Sequence, residues 1–393
     1  MAVGISPDEH AARRERLRAH CSANGLSGYV LFDEHLIRYF AGFTYLATER
    51  PVAFVGTTQG DELVFVPEFE VERIQAETAF GRIESYVEYP GREHPMHVLA
   101  RVLDGLGMRA PVGASSDGYP GILGYSGPPL SEAIGGDVAP LGEFAERLLV
   151  RKSAAEIELI RESGRWCAYA HRLLQRYSTP GTTEADASLR AAHEATVAMA
   201  RELGGSYGQQ ASSDGASAGY RGQIGRRSAW AHAVAHAIEF RPGDVLVSET
   251  SAPVHGYNAE LERAMVIGEP TGEMEVLFGH MLGARQVAFD TLRPGVTCAE
   301  VDGAVLAYFE EHDLLPYWKQ HTGHAIGLRN HEAPFLDVGD HTPVEAGMVF
   351  TIEPGVYDSS LGGFRHSDTV AVTPDGIDVL TDYPTALDEL TIL

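Results

Sequence analysis

The chain has 393 residues, 44% of them hydrophobic and 22% charged, which is enough for a packed core and for more than one domain. A formal net charge of −25 excludes a general nucleic-acid binder and a protein drawn by charge to acidic membranes. Three scattered cysteines, Cys21, Cys167 and Cys298, lack the paired spacing of a zinc site or a disulfide framework, so reduced thiols are expected. The N-terminus is charged and carries no apolar signal-peptide core. No run of about 18 apolar residues is present to span a bilayer. A cytoplasmic protein is therefore expected, with no nucleic-acid or membrane partner. Arginine supplies nearly all the positive charge, since Lys152 and Lys319 are the only lysines.

In chain order, Ser6-Pro7-Asp8-Glu9 combines a capping residue, a proline and a glutamate three after the serine, which predicts a helix start. Gly25 ends that helix, and GYVLFD (28–33) reads as a buried strand. Strands are predicted at 52–56 and 62–66, and helices near 69–79 and 95–107. Residues 1–150 thus read as a small α/β domain. After a break at PLGEF, Ser153-Ala-Ala-Glu156 is a second capping box, opening a helix that runs to Tyr177. Further helices are predicted near 183–203, 273–292 and 298–312, and strands near 245–250, 257–267, 348–356 and 368–373. Residues 151–393 therefore read as an α+β domain with helices on a largely antiparallel sheet. Two stretches, PGTTEADASLRAA (180–192) and PGVTCAEVDGAVL (294–306), share a Pro-Gly-x-Thr-x-Ala pattern before a helix. They are either two similar helix starts or the trace of a duplicated half-domain.

Acids and histidines gather in four stretches: ETSAPVHGYNAELER (249–263), HTGHAIGLRNHEAP (321–334), MVFTIEPGVY (348–357) and GGFRHSDTV (362–370). Glu260 and Glu262, two apart on a strand, share a face, with Leu261 pointing the other way. Carboxylates that close need a cation between them or raised pKa values. Glu353 follows the apolar run VFTI, so it is expected buried and in need of a partner. Taken singly, His232 and His236 in WAHAVAHAI read as helix histidines, His321 as a loop histidine, His331-Glu332 as a surface pair, and Glu262 as a solvent-facing strand acid.

In wording and order, GHAIGLRNHEAP and GMVFTIEPGVY resemble the creatinase/prolidase/methionine-aminopeptidase family, peptidase M24, with its pita-bread fold. The resemblance covers nearly the whole chain: a creatinase-type N-terminal domain, then a pita-bread catalytic domain. The family's metallopeptidases bind two divalent ions through Asp, Asp, His, Glu and Glu. The matching positions here are Glu249, Glu260, His324, Glu353 and Ser367. Both aspartates are lengthened and one bridging carboxylate is a serine, which argues against a bridged pair of ions. Glu262, six after Gly256, and His232, eleven before Gly243-Asp244, instead resemble the metal-independent creatinase branch.

That likeness implies a hydrolase cleaving a C–N bond of a small cationic guanidino or amidine substrate, without a cofactor. His232 would be general acid and base, and Glu262 and Glu353 would orient the substrate. His324, His331, Arg365, Glu260 and Glu249 would complete the pocket, with Arg365 gripping a substrate carboxylate or balancing Glu353. Arg263, alternating away from Glu262, is the poorer counter-charge. Arg50 would close the pocket across a homodimer, and the glycine- and serine-rich segment 204–231 would order on binding. His366 adjoins Ser367, where creatinase has histidine. Two alternatives stand beside this reading. One is a metal-dependent Xaa-Pro dipeptidase or aminopeptidase, with one Mn, Co or Zn ion on Glu249, Glu260, His324 and Glu353. The other is a non-catalytic pita-bread binding module.

Overall fold

The computed structural model describes residues 4–78, 80–89, 91–119, 125–204 and 215–393. The chain forms two compact units, Ile5–Leu149 and Val150–Leu393.

In the first unit the Ser6 hydroxyl accepts the Glu9 N–H at 3.1 Å, and Pro7 opens the helix Pro7–Ala23. A six-stranded mixed sheet follows, in the order Ile83–Tyr86, Glu62–Pro67, Ala53–Thr57, Gly28–Leu31, Val112–Ala114, Val138–Pro140. The central strands Gly28–Leu31 and Ala53–Thr57 are buried along their whole length, so each reads as an unbroken apolar run. The helix Pro95–Gly105 sets Met96, Leu99 and Leu103 at helical spacing against this sheet and closes the core. The predicted helix at 69–79 is shorter than expected: a 3-10 turn at Glu68–Glu70 leads into Val71–Glu77.

In the second unit the capping box forms at Ser153 and Glu156, and the helix Ala154–Tyr177 lays one long face into the core. The eight-stranded antiparallel sheet runs Glu332–Leu336, Gly323–Ala325, Val349–Ile352, Ser367–Thr373, Glu260–Glu262, Glu249–Ser251, Ser217–Gly219, with Gly376–Val379 also on Ser367–Thr373. A smaller sheet orders Thr391–Ile392, Ala264–Ile267 and Val245–Val247. The two Pro-Gly turns each join a pair of consecutive helices that pack together, Ala154–Tyr177 with Glu184–Leu203 and Gly272–Thr291 with Cys298–Glu311. Thr183 and Thr297 cap the second helix of each pair.

Three predicted strands are broken where polar residues take over. Strand 245–250 divides at Ser248 and strand 257–267 at Arg263, and each half joins a different sheet. The Ser248 hydroxyl bonds both the N–H and the carbonyl of Arg263, each at 3.1 Å, which satisfies the backbone where both chains change sheet. Strand 348–356 divides at Glu353-Pro354, since proline supplies no ladder donor. Within the same unit Lys152 Nζ meets Glu332 Oε2 at 2.7 Å, with both side chains almost wholly buried. Among the described residues no helix is long and apolar enough to cross a membrane.

Candidate active site

The sheet changes deliver the acids of the central strands to one cavity of about 320 Å³ in the second unit. All eight residues singled out from the sequence line it: His232, Glu249, Glu260, Glu262, His324, His331, Glu353 and Arg365. Glu260 and Glu262 lie on one face of their strand, both buried, while Leu261 is fully buried against the other side.

The opening in that wall of charge is filled unevenly. Arg365 holds Glu262 with two guanidinium nitrogens, its Nη2 at 2.5 Å from Oε1 and its Nε on Oε2. Such a bidentate pair is the strongest form of charge-assisted hydrogen bond. Tyr357 Oη lies 3.1 Å from Arg365 Nη1 and helps fix the fork. Arg365 Nε reaches Glu353 only at 3.8 Å, so Arg365 balances Glu262 first. Burial lifts the Glu262 carboxyl to about 7, and Arg365 opposes any further rise. Glu262 is thus not solvent-facing, and its carboxylate is engaged by Arg365 rather than standing open in the cavity. Arg263 does turn away, pairing with Asp368 at 2.8 Å on the far side, where Arg285 joins at 2.6 Å.

Glu353 is buried as expected and lies 3.3 Å from His324 Nε2. Burial works against the imidazolium, but Glu353 more than offsets this and raises His324 to about 9. Burial likewise works against the Glu353 anion, while His324 and then Arg365 draw it down to about 2. His324 Nδ1 lies 3.0 Å from the Ala325 carbonyl, which orients the ring. The exposed His331 ring stacks on His324 with centroids 3.8 Å apart. Burial, then the charge of His324, lowers the His331 pKa.

Glu260 differs from its neighbours. Among the described residues its carboxylate has no ion pair, only the Ser367 hydroxyl at 2.7 Å. Burial first, then Glu353, Glu262 and Glu249, push its pKa well up. One oxygen of Glu260, one of Glu353 and one ring nitrogen of His324 lie within 4.8 Å of one another. A buried acid without an ion pair, beside a second acid and an imidazole, suits one divalent cation. Glu249 is not part of that group; its carboxylate meets Arg221 Nη2 at 2.5 Å.

His232 lies on the rim, exposed, and the stretch 231–238 is extended coil and turn rather than the helix that His232 and His236 suggest. His366 does not stand in for Ser367: it faces the small sheet, with Nδ1 at 3.1 Å from the Ala264 N–H. Arg50, in the first unit, is engaged by Glu49 at 2.5 Å and Glu88 at 2.7 Å. Part of the segment expected to order on binding, 205–214, lies outside the described residues. Sequence reasoning missed Arg221 and Lys319 as lining groups. Arg221 sits in that irregular segment, where no periodicity gives a direction.

The metallopeptidase family M24 model matches residues 158–374, and the creatinase/prolidase N-terminal domain model matches 13–117. The chain belongs to metallopeptidase family M24. It is 30% identical over 383 residues to a probable dipeptidase PepE of Mycobacterium bovis, covering 95% of each chain. Over 157 residues it is 36% identical to an Xaa-Pro dipeptidase of Pyrococcus furiosus, covering 40% of this chain and 45% of the relative. Among solved structures, the dipeptidase PepE of Mycobacterium ulcerans superposes with a TM-score of 0.81 at 26% identity, covering 99% of both chains. An Xaa-Pro dipeptidase from Bacillus anthracis does so at 0.80 and 26%, covering 98% of this chain and all of that one. The N-terminal domain and pita-bread domain of this M24 hydrolase are as the sequence implied. The metal-independent creatinase branch is not supported, and these relatives favour the Xaa-Pro peptidase alternative.

Proposed function

We propose that this M24 hydrolase is a dipeptidase of the Xaa-Pro type that works with one divalent ion. The observation that carries the reading is the convergence of Glu260, His324 and Glu353, with Glu260 buried and lacking an ion pair. Those three residues would hold the ion, which when bound supplies polarisation of the scissile carbonyl. The likeness to dipeptidases supports the substrate class. A cavity of about 320 Å³ suits a small substrate.

The chain's own groups divide the remaining work. Lys319 offers positive charge at the cavity for a terminal carboxylate. His331, stacked on His324, would hydrogen-bond the substrate carbonyl, and burial, then the charge of His324, disfavours its protonated form. His232 on the rim passes a proton to the leaving imino nitrogen. Overall, the amide C–N bond breaks, water supplies the new C–O bond, and the amine leaves protonated.

The test is a panel of Xaa-Pro dipeptides, guanidino acids and cyclic amidines, assayed with chelator-treated protein and again after adding Mn²⁺ or Co²⁺. Turnover of Xaa-Pro dipeptides that disappears on chelation and returns with the ion is expected. Turnover of a guanidino acid by metal-free protein would overturn the proposal.

A further inference from the structure

Arg221 is held in an unusual way. Its φ is +49°, in the left-handed region that side-chain-bearing residues seldom occupy. The next residue, Gly222, has φ +75° and no room for a side chain, since a Cβ there would lie 2.1 Å from the Val234 carbonyl oxygen. The Gly222 N–H donates to Glu184 Oε1 at 2.6 Å, and Glu184 Oε2 accepts the His236 N–H at 3.0 Å. Glu184, 2% exposed, thereby clips the Arg221 turn to the segment that carries His232. A backbone conformation this costly persists only where surrounding contacts impose it. Here they aim one guanidinium at two acids: Nη2 lies 2.5 Å from Glu249 and 3.5 Å from Glu262.

The acids Arg221 meets are the ones outside the Glu260, His324 and Glu353 group. Four carboxylates line the cavity, and Arg221, Lys319 and Arg365 set three fixed positive charges against them. By formal charge the site moves from −1 without an ion to +1 with one divalent ion and to +3 with two. A second would add two more positive charges directly against the Arg221 guanidinium. It would also find a hydroxyl at Ser367, already committed to Glu260 at 2.7 Å, and not a bridging acid. The residues present therefore do not fit a bridged pair of ions.

We infer that Arg221, fixed by the Glu184 clip, takes the place of a second cation, so that the site is built for a single ion. The inference deepens the proposed function and rests on its one-ion reading. The test counts ions, independently of turnover. Whole protein is loaded with Mn²⁺, desalted and measured for metal content, and its electron paramagnetic resonance spectrum is recorded. Wild type should hold one Mn²⁺ per chain with the six-line spectrum of an isolated ion. The double variant Arg221→Ala/Ser367→Glu, checked for folding by circular dichroism, should move toward two, with a spectrum broadened by ion–ion coupling. Should the double variant fail to fold, the wild-type count and spectrum decide alone. One ion in the folded double variant would defeat this inference alone, whereas two coupled ions in wild type would defeat the one-ion reading with it. No Mn²⁺ in wild type would defeat the one-ion reading and this inference together.

Discussion

Arg365 and Glu262 come from strands of two different sheets and form a buried bidentate pair, with Nη2 at 2.5 Å from Oε1. Each is at most 2% exposed, so neither charge has water to fall back on. Removing one partner of a buried pair costs about 3–5 kcal/mol, because the other charge is left desolvated. Glu262→Gln should therefore lower unfolding stability by about 3 kcal/mol in urea titrations. A loss below about 0.5 kcal/mol, ordinary for a surface position, would show that the pair is not buried in solution.

His232 should behave in the opposite way. Its side chain is exposed on the cavity rim. His232→Ala should leave the melting temperature nearly unchanged and lower kcat by about 10²–10⁴, the usual worth of a general acid. Unaltered kcat on the best dipeptide would remove His232 from the proton-transfer role.

Gly222→Ala tests the strap beside it. The new methyl group would meet the Val234 carbonyl oxygen at 2.1 Å and strain a backbone already at φ +75°. Turn and strap would have to part, displacing Arg221 and His232 together. Activity should fall at least about tenfold, the equivalent of some 1.4 kcal/mol in the barrier. Isothermal binding of a dipeptide analogue should weaken as well. Wild-type kinetics in this variant would mean that the strap is free to shift.

The first unit carries a pH dependence of its own. Burial is the main reason the His10 pKa falls from 6.5 to about 4, with Arg13 and Arg14 adding to it and the Tyr39 carbonyl and Glu9 opposing. Between those values the unfolded chain binds more protons than the folded one. Stability from this residue is thus complete above about pH 6.5 and drains away as the pH falls toward 4. The loss is on the order of 3 kcal/mol. In urea melts from pH 7 to 4, His10→Gln should show a shallower decline than wild type. Parallel curves would assign the acid sensitivity to other groups.

Much of this was legible because regular elements announce themselves. The helix start at Ser6, the capping box at Ser153, the apolar runs of the first unit and the i, i+2 acids at Glu260 and Glu262 are local patterns with one geometric outcome. Family wording then gathered His324, His331 and Glu353 with them. Two kinds of information were hidden. Strand breaks at Ser248 and Arg263 depend on hydrogen bonds between segments fifteen residues apart, which no local window contains. The pairing of counter-charges was hidden too: Arg365, expected against Glu353, holds Glu262 from 103 positions away, and Arg221 reaches the acids only through a left-handed turn. Alternation correctly sent Arg263 away and left Arg365 as the better counter-charge, but it could not say which acid Arg365 would hold.

The two lysines divide sharply by accessibility. Lys152 is sealed against Glu332, whereas Lys319 is exposed where the cavity opens, with Nζ 2.7 Å from the Ala229 carbonyl. An acylating reagent applied to the folded protein would therefore find its one reachable side-chain amine at the mouth of the catalytic cleft. A dye or crosslinker attached there would report occupancy of the cleft without any engineered residue.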